Sequence, residues 1–372
     1  MQADVQESEE KARATAWLSH GLETLVAKLQ RKSGAPAGHP HDFDFDVIIV
    51  GSGYGAAVAA AELAGCTDAK GNSIKVCVLE RGKEYLAGMF PSRMADLAGH
   101  VRFATPRARK PKGVRDGLFD VRTSGDAVAV VANGLGGGSL INAGVMAMPH
   151  AAVFQEARWP QAIRQDCTLP KLAARLRTRL GAKKVTEWSS KTGVVQELAG
   201  SQAFKLARVT VAHATGPNAA GVSLDECMAC GDCATGCNHN AKDSLDLNLL
   251  YQAKLAGAEI FTGTTVLRVE RAEGVGSGWV LHLNHTDEHL RVRQPAPFQV
   301  RARRVILAAG TLGSTEILMR SQTDKLKLST QLGRKFSANG DMIAVGHDLN
   351  QPVKAVADEA EPPAQRGVGP TI

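Results

Sequence analysis

At 372 residues, with 44% hydrophobic and 22% charged residues, the chain can bury a substantial core and form two domains. The net charge of +7 is modest, and its one dense patch, Arg107 to Lys112 with Arg115, lacks interleaved aromatics and sits among Pro and Gly; it reads as a solvated loop, which argues against nucleic-acid or membrane contact. The acidic N-terminus, with Asp4, Glu7, Glu9 and Glu10, lacks the basic start and apolar run of a secretory signal, and four of the seven cysteines crowd into eleven residues unlike a disulfide framework, so a cytoplasmic address is expected.

In chain order, Trp17, Leu18, Leu22, Leu25, Val26 and Leu29 recur at helical spacing, which predicts an amphipathic helix over 8–31 that packs on the body; Ser33 to His41, with two prolines and two glycines, is a linker. Val47 to Val50 is a buried strand, Gly51-Ser52-Gly53-Tyr54-Gly55 a tight turn, and Ala56 to Ala64 a helix. Strand, glycine turn and helix N-terminus in that order suit a pyrophosphate, because glycines let backbone approach the phosphates and the helix start offers free N–H groups and a positive dipole end. Ala56 replaces the third glycine with another small residue. The apolar stretch 47–65 carries Glu62 and five Ser or Gly residues, so it is not a membrane span. Cys66 to Ser73 is a loop, and the second strand, Ile74 to Leu79, ends at Glu80, a carboxylate placed to accept from a ribose 2′-hydroxyl.

The chain then turns irregular through Phe90-Pro91. A strand at Val128 to Val131 runs into Asn133-Gly134-Leu135-Gly136-Gly137-Gly138-Ser139-Leu140-Ile141-Asn142-Ala143-Gly144, where consecutive glycines offer bare N–H groups to a flat ring or a phosphate. Helical periodicity over Leu169 to Leu180 and a strand at Arg208 to Ala212 mark an inserted second domain. A helix over Asp243 to Ala256 is followed by short strands at Thr265 to Val269, Gly278 to Leu283 and Leu290 to Arg293, a meander; Arg304 to Leu307 is a buried strand leading through Gly310 into a helix at Thr315 to Ser321. The expected organisation is an N-terminal helix and linker (1–43), a doubly wound α/β nucleotide-binding domain in two parts (44–150 and 225–345), an inserted α+β substrate or cap domain (151–224), and a further segment (346–372).

The turn at Gly51 to Ala56 with Glu80, the block at Gly134 to Gly144, and the strand-turn-helix at Ala308 to Leu318 together resemble the glucose-methanol-choline (GMC) oxidoreductases, in particular their cholesterol-oxidase-like branch, over about residues 44 to 345. The resemblance implies an FAD-binding Rossmann-like fold, with Gly51, Gly53, Gly55 and Ala56 at the pyrophosphate and Glu80 on the adenosine ribose. Gly137, Gly138, Ser139, Asn142, Ala143 and Gly144 would lie by the pyrophosphate and the isoalloxazine, Val266 would contact adenine through its backbone, and Gly310 would lie near the nucleotide. The implied activity is hydride transfer from the CH–OH group of an alcohol, possibly sterol-like in kind, to flavin N5, with O2 or a carrier protein as electron acceptor. The implied base is a histidine near the family's C-terminus. After Phe336 to Asp341 the chain runs only to Ile372 without that segment, and neither His239 nor His347 lies in a matching motif, so the chain reads as truncated relative to its family, with impaired or absent alcohol activity and marginal stability. The alternative is a flavin and iron-sulfur electron-transfer module without alcohol chemistry of its own.

Cys227, Cys230, Cys233 and Cys237 form C-x2-C-x2-C-x3-C, the spacing of a ferredoxin-type iron-sulfur segment. Asn238 stands where Pro is usual, and no second cysteine motif is present for a second cluster. A single 4Fe-4S cluster held by all four or by three plus a remote cysteine, zinc, and redox-active or unliganded thiols all remain open from spacing alone.

Overall fold

A run of branched, apolar residues at Phe45–Val50 forms the centre of a seven-stranded sheet in the computed structural model, which describes residues 16–33, 43–105, 111–125, 127–166, 168–185, 190–203, 205–272, 278–294, 296–339, 346–348, 350 and 353–369. The elements of this layer are β1 (His20–Gly21), α1 (Leu22–Ser33), β2 (Phe45–Val50), α2 (Tyr54–Leu63) and β3 (Val76–Leu79). A separate four-stranded sheet follows: β4 (Val101–Ala104), β5 (Lys112–Gly113), β6 (Phe119–Ser124) and β7 (Ala127–Ala132), in the order β5-β4-β6-β7. Helix α3 (Leu169–Arg179) and α4 (Ser190–Ala203) come next. The chain returns to the main sheet through α5 (Leu249–Leu255), β8 (Glu259–Thr262), β9 (Thr264–Arg271), β10 (Trp279–His285), α6 (Glu288–Arg293), β11 (Phe298–Leu307) and α7 (Gly310–Ser321).

The main sheet has the order β1-β8-β3-β2-β11-β10-β9, with the first five strands mutually parallel and β9 to β11 an antiparallel meander. Alternation along β2 divides its side chains between two cores, as expected of a parallel strand covered on both faces. Val47 and Ile49 pack with Ala56, Ala57 and Ala60 of α2 and Leu249, Leu250 and Ala253 of α5; Ile48 and Val50 pack on the other side with Leu22, Leu25 and Val26 of α1 and Ile317 of α7. The doubly wound α/β reading therefore holds. Stretch 47–65 is strand, turn and helix, and no helix among the described residues is long and apolar enough to cross a membrane.

Several expectations are corrected. The N-terminal helix begins at Leu22, and the first part of the 8–31 expectation, 8–15, lies outside the described residues. Residues 18 and 19 are held extended because the Glu84 carboxylate accepts from the N–H groups of Leu18 (2.8 Å) and Ser19 (2.9 Å), and β1 then pairs with Phe261 and Thr262. Leu290 to Arg293 is helical, not a strand: the Asp287 side chain caps α6 by accepting from Leu290 N at 2.9 Å. The third meander strand is β11, which starts at Phe298, earlier than Arg304. Residues 243 and 244 precede the helical turns that lead into α5; the buried Asp243 carboxylate instead accepts from the side-chain amides of Asn218 (2.8 Å) and Asn248 (3.0 Å).

Candidate nucleotide site and cysteine loop

Three chain reversals converge beyond the carboxyl ends of β2, β3 and β11, the crevice position at which open parallel sheets bind ligands. They surround a cavity of about 490 Å³, within the range of small-molecule and cofactor sites. Gly51, Gly53, Gly55, Glu80, Gly137, Gly138, Val266 and Gly310 all line it. Gly51 turns the chain at φ +99°, and a Cβ there would lie 2.5 Å from the Ala308 carbonyl oxygen, so its lack of a side chain lets the first and third turns touch. Gly137, at φ +54°, stands against Gly53 in the same way, with 2.8 Å between its would-be Cβ and Gly53 Cα. At Gly53 and Gly310, by contrast, a Cβ would meet no protein atom within 4 Å.

The Ser52 hydroxyl joins the turns. It donates to Glu80 Oε2 (2.5 Å) and accepts from Gly136 N (3.0 Å), while Glu80 Oε1 accepts from Gly82 N (2.8 Å). Burial pushes the Glu80 carboxyl above its usual range, against the pull of these donors, and the two oxygens keep lone pairs for a further donor. Tyr54 OH accepts from Asn142 Nδ2 at 2.7 Å, a second link between the turns. A register shift between Val266 and Arg268 bulges β9 beside the cavity and frees backbone there, and Thr286 donates to the Arg81 carbonyl at 2.6 Å to close that end.

The remaining wall is basic: Arg81, Arg102, Arg115, Arg122, Arg291 and Arg320 face the cavity with Glu80 and Glu316. Behind them lies Asp120 of β6, its side chain fully buried, accepting from Arg81 Nη2 (2.8 Å) and Arg122 Nη2 (2.9 Å), with Arg102 at 3.7 Å. Burial raises the Asp120 pKa, but Arg81, Arg122 and Arg102 outweigh it and hold the carboxyl below its ordinary value. Arg122 also reaches Glu316 of α7.

The other expected residues lie behind the wall. Ala56 is fully buried against the sheet. Ser139 is buried, donating to the Gly136 carbonyl (2.8 Å) and accepting from Leu245 N (3.1 Å), which ties the glycine block to the segment before α5. Asn142 ties to Tyr54, Ala143 is half-buried, and the Gly144 carbonyl accepts from Thr210 N at 2.8 Å. The sequence reading missed Ser52, Tyr54, Arg81, Arg122 and Thr286; only Ser52, Tyr54 and Arg81 sat inside motifs it had singled out. His239 lines the cysteine cavity and His347 is exposed beside Asp348, so neither is in this cavity. Among the described residues no histidine lines it.

All four clustered cysteines line a second, small cavity of about 20 Å³. Asn238 clips the sequence-distant segment Gly88 to Phe90: its Oδ1 accepts from Gly88 N (2.9 Å) and Phe90 N (3.0 Å), and its Nδ2 donates to the Phe90 carbonyl (3.0 Å), bonds that the usual proline could not make. Cys66 is exposed, Cys77 is buried in β3, and Cys167 lies outside the described residues.

The GMC oxidoreductase family model matches residues 45–349. The chain belongs to this family. It is 28% identical over 311 residues to a cholesterol oxidase from Acinetobacter baumannii, covering 79% of this chain and 54% of that protein. A cholesterol oxidase from Mycobacterium tuberculosis is also 28% identical, over 79% of this chain and 51% of that one. The chain thus spans about half the length of the curated relatives it matches. Among solved structures, pyridoxine 4-oxidase from Mesorbium loti aligns at 17% identity with a TM-score of 0.40, over 75% of this chain and 52% of that one. Formate oxidase from Aspergillus oryzae RIB40 aligns at 14% identity with a TM-score of 0.43, over 74% and 47%.

Proposed function

We propose that this family member binds FAD in the 490 Å³ cavity and serves the oxidation of the CH–OH group of an apolar or sterol-like alcohol. The observation that carries the reading is the meeting of three glycine turns and one buried carboxylate around a single crevice. Gly53, Gly55 and the start of α2 would hold the pyrophosphate, Glu80 would accept from the adenosine ribose, the bulged backbone at Val266 would meet adenine, and Gly310 would lie close by. Gly137 and Gly138 would border the pyrophosphate, with Ser139, Asn142, Ala143 and Gly144 shaping the flavin end of the block from behind. The flavin supplies a hydride acceptor at N5 when bound; the chain's part is to bind, orient and exclude water. A sterol-like alcohol and O2 as acceptor are inferred from the names of the cholesterol oxidase relatives.

A second reading, a flavin and iron-sulfur electron-transfer module, is favoured by the histidine-free wall among the described residues and by the cysteine loop. Visible absorption of the purified, FAD-reconstituted chain, followed by assay of a sterol and a short-chain alcohol with an artificial electron acceptor, separates the two. Retained flavin with turnover supports the alcohol oxidoreductase. Retained flavin without turnover favours the module, and failure to retain flavin sinks both.

A further inference from the structure

The cysteine loop plays no part in the nucleotide site, yet its surroundings are those of an anionic centre. Cys227, Cys230, Cys233 and Cys237 all line one cavity, so the fourth cysteine of the run joins the other three; in two-cluster ferredoxins it would serve a different cluster. A backbone amide points at the fourth sulfur: Ala241 N–H donates to Cys237 Sγ at 3.4 Å. Such a donor stabilises sulfur carrying negative charge.

The second observation is Lys242. Its side chain is buried, with the residue 3% exposed, and its Nζ donates to the carbonyl oxygens of Leu140 (3.1 Å), Asn142 (2.5 Å) and Cys233 (3.0 Å). It makes no ion pair with any carboxylate of the described residues. A buried ammonium is costly unless an opposite charge compensates it, and Lys242 lines both the cysteine cavity and the neighbouring cavity that holds the buried Asp246, so Cys233, Cys237 and Asp246 are the acidic groups around it. Asp232 is not free to supply that charge or to bind a metal beside Cys230 and His239, because both its oxygens lie 3.1 Å from Nη1 of the buried Arg366. The segment carrying Arg366 covers the loop: Val368 packs over Gly231, and Gly369 N donates to the Ala229 carbonyl at 3.0 Å.

We propose that the four thiolates hold one iron-sulfur cluster, with Lys242 as the compensating cation that also fastens this site to the glycine block. A four-thiolate cluster is a net anion, matching the ammonium and the Ala241 amide, and the consecutive short spacing suits a cluster better than the more widely separated pairs usual for zinc.

Anaerobic purification of the full chain, with iron, zinc and acid-labile sulfide analysis and EPR after dithionite reduction, tests this without reference to alcohol turnover or flavin content. About four iron and four sulfide per chain are expected. Both should fall at least tenfold, by rough expectation, in Cys230→Ser and Cys233→Ser and stay unchanged in Cys66→Ser. Zinc without sulfide, or no metal in the wild-type chain, overturns the assignment; the wild-type analysis decides even if the serine variants fail to fold. Lys242→Met should retain iron and shift the cluster's reduction potential to more negative values, because a nearby positive charge favours the reduced cluster. An unchanged potential overturns the role given to Lys242.

Discussion

Gly53 and Gly51 stand two residues apart in one turn and do different work. At Gly53 φ is −70° and a Cβ would point into open cavity, so valine fits the protein but occupies space the pyrophosphate needs. Gly53→Val should therefore leave the circular dichroism spectrum and melting temperature near wild type while flavin bound per chain drops by roughly tenfold or more, since 1.4 kcal/mol of lost affinity is already a factor of ten. Flavin content equal to wild type would remove the pyrophosphate from this turn. Gly51→Ala should instead cost folding, because its φ of +99° and the Ala308 carbonyl leave no room for a methyl group. The sequence motif made these glycines equivalent. What separates them is the turn after β11, distant in sequence, against which Gly51 alone packs; no local pattern encodes that contact. Ser139 shows the same limit from the other side, since its hydroxyl points to Leu245 and not to the cavity.

A fully buried carboxylate helps dock the small sheet onto the main one, beside the Arg81 Nε bond to Asn133 Oδ1 (2.7 Å) and the Arg115–Glu288 pair. Asp120 on β6 gathers Arg81 from the end of β3, Arg102 from β4 and Arg122 from its own strand, and Arg122 passes the link on to Glu316 of α7. Asp120→Asn leaves three guanidinium groups without their shared anion and should lower stability by about 3–5 kcal/mol at neutral pH, the cost of breaking a buried ion pair from one side. The pH dependence follows from the depressed carboxyl: in this folded state it binds its proton less readily than in the unfolded chain, so its contribution is fully present above the unfolded value near 4 and disappears as pH falls through the lower folded value. Denaturant titrations of wild type and variant should thus differ most at pH 6 to 7 and converge in strong acid; a gap that persists unchanged at pH 2 would assign the loss to packing. Only β7 of this sheet was visible in the sequence. Strands β4 and β5 are short, and β4 and β6 carry Arg102, Asp120 and Arg122 on positions that periodicity reads as exposed, whereas those residues pair with one another. Leu-Arg-Val-Arg at 290–293 misled in the opposite sense, because alternation suggested a strand and the Asp287 cap made a helix.

At the scale of the whole molecule, the parallel layer was legible because its strands are continuous apolar runs that can only be buried on both faces, and because α2 is built from alanines that allow close helix contact. The charge around the cavity was not, since the arginines come from β3, β4, β6, the loop before β6, α6 and α7 and converge only in the folded chain. Their pairing is incomplete: Asp120 serves Arg81, Arg102 and Arg122, Arg115 pairs with Glu288 at 3.0 Å, Arg320 with Glu316 at 3.6 Å, and Arg291 forms no ion pair among the described residues. The crevice therefore keeps an excess of positive charge, which attracts a pyrophosphate and is indifferent to an uncharged ring. Screening shortens from about 10 Å at 0.1 M salt to about 3 Å at 1 M, so FAD affinity measured by fluorescence quenching should fall about tenfold over that range. Riboflavin, which lacks both phosphates, should bind more weakly at 0.1 M and show little salt dependence. If the two ligands respond to salt alike, the arginines act on the fold alone and the pyrophosphate is held by the backbone turns without help from the cavity's field.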